Sequence, residues 1–313
     1  MADKIKVIYF ATPYIALKSL EYLYHSEKIE VQSVVTQPDK PAGRGGKLKM
    51  PPIKEFALAN NIKIFQPKSL RHDLDVINAL KQLKPDFFVT FAYGQILSQE
   101  VLDIPKYETI NLHASLLPKY RGANPIKRVL INGEKETGIC TMITELGLDC
   151  GAICLKEIIK IPDDMTCIDL EEKVASDSPE LLEKTLIGIY ENKLCPTPQC
   201  STGVCNAPKL TKEEIKIDWT KSAVEIHNLV RGIYKSPSAY FVLNNKMIKV
   251  LKTEIISDCK CTADNKPGEI VQSCRDGIIF LTGHGFIKLL QVKPEGRKEM
   301  CARDWYNGVK NDK

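Results

Sequence analysis

The sequence predicts an α/β protein: a doubly wound, mostly parallel sheet covered by helices on both faces, followed by a small β-barrel. Three observations lead there. The chain has 313 residues, and at about 150 residues per domain that length suggests two domains. Its first part alternates short apolar runs with helical stretches, which is the pattern of a parallel sheet with right-handed crossovers. Its last third holds short β-rich runs separated by Asn, Asp and Gly turns.

Ile5 to Ala11 is a near-continuous apolar run, read as a strand, and Thr12-Pro13 reads as an N-cap with proline at the first helical position. The alternation recurs, with strands expected over 31–36, 62–65 and 86–92 and helices over 52–60 and 73–83. A strand over 109–113 runs into a long turn from Pro118 to Pro125, and a helix follows from about 126 to 132. Residues 137–145 and 153–161 are β-rich, and 167–192 reads as one long helix closing a first domain, 1–192. Residues 193–208, with prolines and small polar residues, read as a linker. In the second domain, 209–313, a helical stripe (Ala223, Ile226, Val230) stops at Gly232. Strands are expected over 239–243, 247–256, 269–272, 277–281 and 286–291.

The composition, 43% hydrophobic and 27% charged, is that of an ordinary globular protein and argues against disordered, collagenous and fibrous classes. The net charge of +5 is uneven: +4 over residues 1–150, −5 over 151–200 and +6 over 201–313. The positive ends suit a polyanion such as nucleic acid, although scattered surface charge gives the same sums. The N-terminus has no signal-peptide pattern, and no uncharged apolar stretch approaches the roughly 18 residues of a membrane helix. The eleven cysteines therefore read as reduced thiols of a cytoplasmic protein. Cys195, Cys200 and Cys205 lie five apart but lack a fourth ligand at a usual spacing, so no metal is expected.

The turn after the first strand, Ala11-Thr12-Pro13, has no Gly-x-Gly-x-x-Gly, which argues against a nicotinamide enzyme. The stretch Gly43-Arg44-Gly45-Gly46-Lys47 lacks the first glycine and the hydroxyl residue of a P-loop. Framed by Lys40 and Lys49, it reads instead as a basic loop able to meet phosphates. The informative run is Ile110 to Gly122. Asn111 and His113, two apart on a strand, share a face at its carboxyl end, where open α/β sheets bind ligands. His227, inside a helix, reads as a core or surface residue. Asp149, in the turn Gly147-Leu148-Asp149-Cys150-Gly151, offers a carboxylate to orient an imidazole or hold a water.

With these motifs the chain resembles the methionyl-tRNA formyltransferases along nearly its whole length. The resemblance rests on Gln37 to Gly45, Ala92-Tyr93-Gly94-Gln95-Ile96-Leu97, Asn111 to Gly122, Gly147-Leu148-Asp149, Ala207 to Glu213 and Ile217-Asp218-Trp219. It implies a Rossmann-like formyltransferase domain joined to an oligonucleotide-binding-like (OB-like) β-barrel. It implies 10-formyltetrahydrofolate as formyl donor, the amino group of methionyl-initiator tRNA as acceptor, and a monomer; no metal is expected, because an amide, an imidazole and a carboxylate suffice for acyl transfer from an activated formamide. By the same resemblance Asn111, His113 and Asp149 fall on the catalytic triad and Ser115-Leu116-Leu117-Pro118 on the folate-binding turn. Arg44, with Lys40 and Lys47 beside it, falls on the loop that meets the tRNA acceptor end, and Lys209 and Lys212 fall near the basic surface between the domains.

The chain departs from the family pattern at Ala11, Asn124, Lys127-Arg128, Cys150 and Ala152. The last two adjoin Asp149 and bear on its hydrogen bonding. Rival readings are another folate-dependent formyltransferase, with a glycinamide ribonucleotide or amino-sugar acceptor, and a noncatalytic RNA-binding module on the same fold.

Overall fold

A computed structural model describes residues 4–42, 47–259 and 264–311. The chain forms two compact units: Met1–Gly122, Glu136–Lys160 and Glu171–Asn206 make the first, and Ala123–Lys135, Ile161–Leu170 and Ala207–Lys313 make the second.

The first unit runs β1 (Ile5–Ala11), α1 (Leu17–His25), β2 (Ile29–Val35), β3 (Lys40–Ala42), β4 (Lys47–Lys49), α2 (Pro52–Ala59), β5 (Lys63–Phe65), α3 (Leu74–Gln82), β6 (Phe87–Phe91), α4 (Gln99–Leu102) and β7 (Glu108–His113). After α5 (Pro125–Ile131), which belongs to the second unit, come β8 (Glu136–Ile143), β9 (Ile153–Lys160) and α6 (Cys167–Tyr190), whose residues up to Leu170 belong to the second unit. The main sheet has the order β5-β2-β1-β6-β7-β8-β9. The first five strands in that order are parallel, and β8 and β9 add on antiparallel. All five residues of β6 are buried, as a strand covered on both faces requires.

The chain winds from β1 outward through β2 to β5, then returns to the other side of β1 for β6 and β7. That reversal is a topological switch point, and the crevice outside the strands' carboxyl ends is where such sheets bind ligands. Thr12 lies there, and its role differs from the N-cap expected. Its hydroxyl donates to the Tyr93 carbonyl (3.0 Å) and accepts from the Gln37 N–H (3.3 Å), tying three strand ends together. Pro13 takes the cap position of a short 3₁₀ turn, Tyr14–Ala16, that leads into α1. Below it Phe10 packs on Phe88 (4.8 Å) and Tyr93 (5.5 Å), in a core shared with Ile77 and Leu80 of α3. Helix α3 starts as its sequence suggests, with the Asp73 carboxylate accepting from the Val76 N–H at 3.1 Å.

Helix α6 is continuous despite Pro179 in its interior. Proline has no N–H for the carbonyl four residues earlier, and the Ala175 carbonyl accepts from the Ser178 hydroxyl instead (3.4 Å). The flanks of the basic loop pair as a hairpin, with Lys40 opposite Lys49 and Ala42 opposite Lys47. A proline and a glycine run hide that pairing from a propensity reading.

The second unit adds α7 (Ala223–Gly232), β10 (Ala239–Leu243), β11 (Lys246–Ile256), β12 (Ile270–Ser273), β13 (Ile278–Leu281), β14 (Phe286–Pro294), β15 (Met300–Cys301) and α8 (Ala302–Asn311). Its strands follow the order β10-β11-β14-β13-β12, with β15 on β14, in antiparallel pairing throughout. This is the small β domain expected. A capping box between Ser222 and Glu225 starts α7. Its buried stripe Ala223, Ile226 and Val230 joins a core in which Trp219 stacks on Phe280 (centroids 4.6 Å apart) and Phe241 meets both rings edge-on. Each such side chain, fully buried, is worth roughly 1.5–3 kcal/mol of transfer free energy. The terminal α8 was not anticipated, although Trp305, Tyr306 and Val309 reach the core at helical spacing.

Candidate active site

Asn111 and His113 are the fourth and last residues of β7. In the parallel pairing of β6 with β7, Thr90 stands beside Asn111, and its hydroxyl donates to Asn111 Oδ1 at 2.8 Å. That bond uses the amide oxygen and leaves the side chain's two N–H donors available. His113 is 5% exposed, and its Nε2 lies 2.9 Å from the Tyr120 carbonyl oxygen. A carbonyl only accepts, so Nε2 carries the proton, and in the neutral ring Nδ1 holds the lone pair.

The turn after β7 brings Tyr120 back to the imidazole. The Ser115 hydroxyl donates to the Lys119 carbonyl (2.7 Å), the Lys119 N–H donates to the Leu116 carbonyl (3.1 Å), and the Leu117–Pro118 bond is cis. Leu117 packs against Cys140, Met142 and Ile153, while Lys156 Nζ donates to its carbonyl at 2.8 Å. Leu116 and Pro118 stay half-buried. Gly122 then adopts φ +113°, a conformation that favours glycine, and its N–H donates to Asp149 Oδ2 at 2.7 Å.

Asp149 reaches that point from the loop between β8 and β9. Its own φ is +47°, left-handed backbone that an aspartate tolerates better than most residues. Two residues on, a Cβ at Gly151 would sit 2.0 Å from the Ile143 carbonyl oxygen, so only glycine permits this close return to β8. Asp149 Oδ2 stands 3.6 Å from His113 Nδ1, with the two side chains 19% and 6% exposed. Asn111 and His113 thus share one strand end, and the Asp149 carboxylate meets the imidazole there.

Of the departures near Asp149, neither hydrogen-bonds to its carboxylate. The Cys150 thiol faces the Glu145 carboxylate at 3.9 Å, and the Ala152 carbonyl accepts from the Ile143 N–H at 2.9 Å. Arg128 serves the second unit, where it forms a bidentate pair with Glu214 (2.6 and 3.1 Å) and donates to the Pro208 and Lys209 carbonyls. Lys127 Nζ donates to the Ser236 carbonyl at 3.0 Å. Opposite His113 in register, the Cys140 thiol is pushed up to about 11 by burial, which keeps it protonated and unreactive.

Arg44 lies outside the described residues, as does the Lys47 side chain. Lys40, Lys209 and Lys212 are exposed. Among the described residues no three His, Cys, Asp or Glu side chains gather as a metal site, and no helix is long and apolar enough to cross a membrane. Cys195, Cys200 and Cys205 are exposed free thiols, and Cys205 Sγ accepts the Tyr120 N–H at 3.2 Å. His227 is partly buried and bonded to Thr253 Oγ1 (2.9 Å) and the Asp163 carbonyl (3.2 Å). Sequence reasoning missed Thr90, the Tyr120 carbonyl and the Gly122 N–H. These act through strand register and a turn of the chain, which a linear motif does not display.

The formyl transferase family matches residues 4–186, and the formyl transferase C-terminal domain matches residues 209–310. The methionyl-tRNA formyltransferase of Clostridium tetani is 43% identical over 309 residues, covering 99% of this chain and 98% of that protein. That of Alkaliphilus oremlandii is 43% identical over 304 residues, covering 97% and 96%. The chain belongs to the methionyl-tRNA formyltransferase family. The fold of this formyltransferase is shared more widely. An N-formyltransferase from Helicobacter canadensis, solved with folinic acid and dTDP-3-aminofucose, superposes with a TM-score of 0.66 at 22% identity, covering 91% of this chain and 99% of that one. A sugar 3N-formyl transferase solved with dTDP and 5-N-formyl-THF gives 0.65 at 23% identity, covering 95% and 100%.

Proposed function

We propose that this formyltransferase moves a formyl group from 10-formyltetrahydrofolate to the amino group of methionyl-initiator tRNA, with Asn111, His113 and Asp149 as the catalytic set. The observation that carries this reading is the pairing of a free amide donor with an imidazole lone pair at one strand end, backed by a carboxylate 3.6 Å from that lone pair.

An α-amino group has a pKa of about 7.7–8, so an appreciable fraction is already the free base near neutrality. As it bonds to the formyl carbon, negative charge develops on the formyl oxygen. The Asn111 N–H2 donates to it, and because Thr90 fixes the amide, this costs no reorganisation during reaction. Nitrogen gains a positive charge in the same step, and His113 Nδ1 accepts its proton. The resulting imidazolium faces Asp149. Two opposite charges about 4 Å apart attract by about 1 kcal/mol in water and about 4 kcal/mol at an effective dielectric constant of 20. His113 then returns the proton to the departing folate nitrogen as its bond to carbon breaks, and the ring is neutral again.

The half-buried Leu116 and Pro118, with Ser115 and Leu117 beneath them, offer the pteridine an apolar edge and a few backbone polar groups, the usual makeup of a ligand pocket. Arg44, Lys40, Lys47, Lys209 and Lys212 are assigned to tRNA phosphates, a role that needs charge and reach rather than a fixed fork. We take a monomer as the working unit. Use in translation initiation puts the activity in the cytoplasm.

The test is an acceptor panel: 10-formyltetrahydrofolate with methionyl-initiator tRNA, a glycinamide ribonucleotide or an amino-sugar nucleotide. Product on the tRNA supports the reading. Product only on a small acceptor replaces the substrate, and tRNA binding without product with any acceptor replaces catalysis by a binding role.

A further inference from the structure

Gln199 lies between the two stretches that match the family, which end at residue 186 and resume at 209. Its side chain is fully engaged. Nε2 donates to the carbonyls of Asp149 (2.8 Å) and Gly151 (2.9 Å), and Oε1 accepts from Nε (3.1 Å) and Nη2 (2.7 Å) of Arg121. A guanidinium only donates and a carbonyl only accepts, so a single orientation of the amide satisfies all four bonds.

The residues around Gln199 are held as well. Thr197 and Ile153 exchange both backbone hydrogen bonds at 2.8 Å, and the Arg121 N–H donates to the Cys205 carbonyl at 2.9 Å. All of these residues belong to the first unit. The Pro-rich segment is therefore a wall of the active-site unit from Thr197 to Asn206 rather than a free spacer.

What this wall holds is left-handed backbone at Asp149. Left-handed conformation at a non-glycine residue costs of order 1–3 kcal/mol and persists where its surroundings over-determine it. At Asp149 the determinants are visible: β8 limits the loop on one side at Gly151, and one amide grips the carbonyls of both Asp149 and Gly151 on the other. The carboxylate turns on that backbone. Any drift of the loop shifts Oδ2 relative to the Gly122 N–H and His113 Nδ1 together.

We propose that Gln199, oriented by Arg121, is a positioning residue that locks the Asp149 backbone and so sets the carboxylate between Gly122 and His113. Its kinetic consequence rests on the catalytic role of Asp149 given above, and its structural consequence does not. Gln199→Ala is expected to speed exchange of the Gly122 amide about tenfold and leave the β1 amides unchanged. It lowers single-turnover formyl transfer about tenfold with both KM values within about twofold, because small misplacement of a reacting group is costly. Gln199→Glu keeps an acceptor for Arg121 but loses the two donors, and it behaves like Gln199→Ala. In an Asp149→Asn background the same substitution costs less than about twofold, since residues acting as a unit are non-additive. Unchanged Gly122 exchange overturns the proposal whatever the activity. So does normal turnover in Gln199→Ala, or a full loss that persists beside Asp149→Asn. If exchange responds in a protein that formylates no acceptor, the brace stands and the functional reading fails instead.

Discussion

His113 Nδ1 stands 3.6 Å from Asp149 Oδ2, beyond hydrogen-bond length yet within strong Coulombic range. While the ring is neutral, two acceptors face each other there, because the Tyr120 carbonyl keeps the proton on Nε2. The arrangement becomes favourable once Nδ1 is protonated. It is a site that waits for a proton, which is what accepting one from an attacking amine requires.

Replacing His113 with alanine removes the proton carrier proposed above, and turnover is expected to fall by about two to four orders of magnitude while the fold persists. Asp149→Asn should fall in the same range. Its amide keeps an oxygen for the Gly122 N–H but can turn an N–H donor onto Nδ1 and occupy the lone pair. Circular dichroism alongside single-turnover rates checks both variants, and near-wild-type transfer by either removes its assigned role.

Asn111→Ala loses the donor proposed for the formyl oxygen and should lower kcat by about 10² to 10³ with little change in KM. Thr90→Val leaves the donor present but unpinned, so a smaller fall, about tenfold, is expected. Equal losses in the two variants would mean that Thr90 contributes more than orientation.

Burial holds His227 below its usual value of 6.5. The unfolded chain therefore takes up a proton near 6.5 that the folded chain still refuses, and below that pH the unfolded state binds more protons. The contribution to stability is complete above the unfolded value and is lost as pH falls below it. Thermal midpoints at about pH 7.5 and 5.5 should show a smaller drop for His227→Gln than for the wild type. An identical drop would assign the pH dependence to other groups.

Each lysine or arginine that neutralises a phosphate adds about 0.9 to the salt slope on duplex nucleic acid and about 0.7 on single strands. Arg44→Ala, and separately Lys209→Ala with Lys212→Ala, should weaken tRNA use and flatten the slope of log KM against log salt, with the folate KM unchanged. A slope that does not move leaves those residues as ordinary surface.

Much of the fold was legible because its signals are local. The apolar run of β1, the capping Asp73 and the stripe of α7 each declare their element within a few residues, and β1 and β10 fall where the periodicity puts them. The short pieces were not legible. The hairpin of β3 and β4 depends on pairing across a glycine run, and the two residues of β15 are a strand only because β14 lies beside them. Thr12 reads as a cap locally, but its hydroxyl is claimed by Tyr93, which arrives from 81 residues away. At the site, spacing brought Asn111 and His113 together, whereas Thr90, Gly122 and Gln199 converge through register and turns. Residues that hold a catalytic group from behind leave no motif, because any donor or acceptor that arrives at the right place serves.

The most direct test is single-turnover transfer of formyl from 10-formyltetrahydrofolate to methionyl-initiator tRNA by the wild type and His113→Ala, with folate binding measured in parallel. The account predicts N-formylmethionyl-tRNA from the wild type, equal folate affinity for both proteins, and a rate at least about a hundredfold lower for the variant. Product formed equally fast by His113→Ala would contradict it.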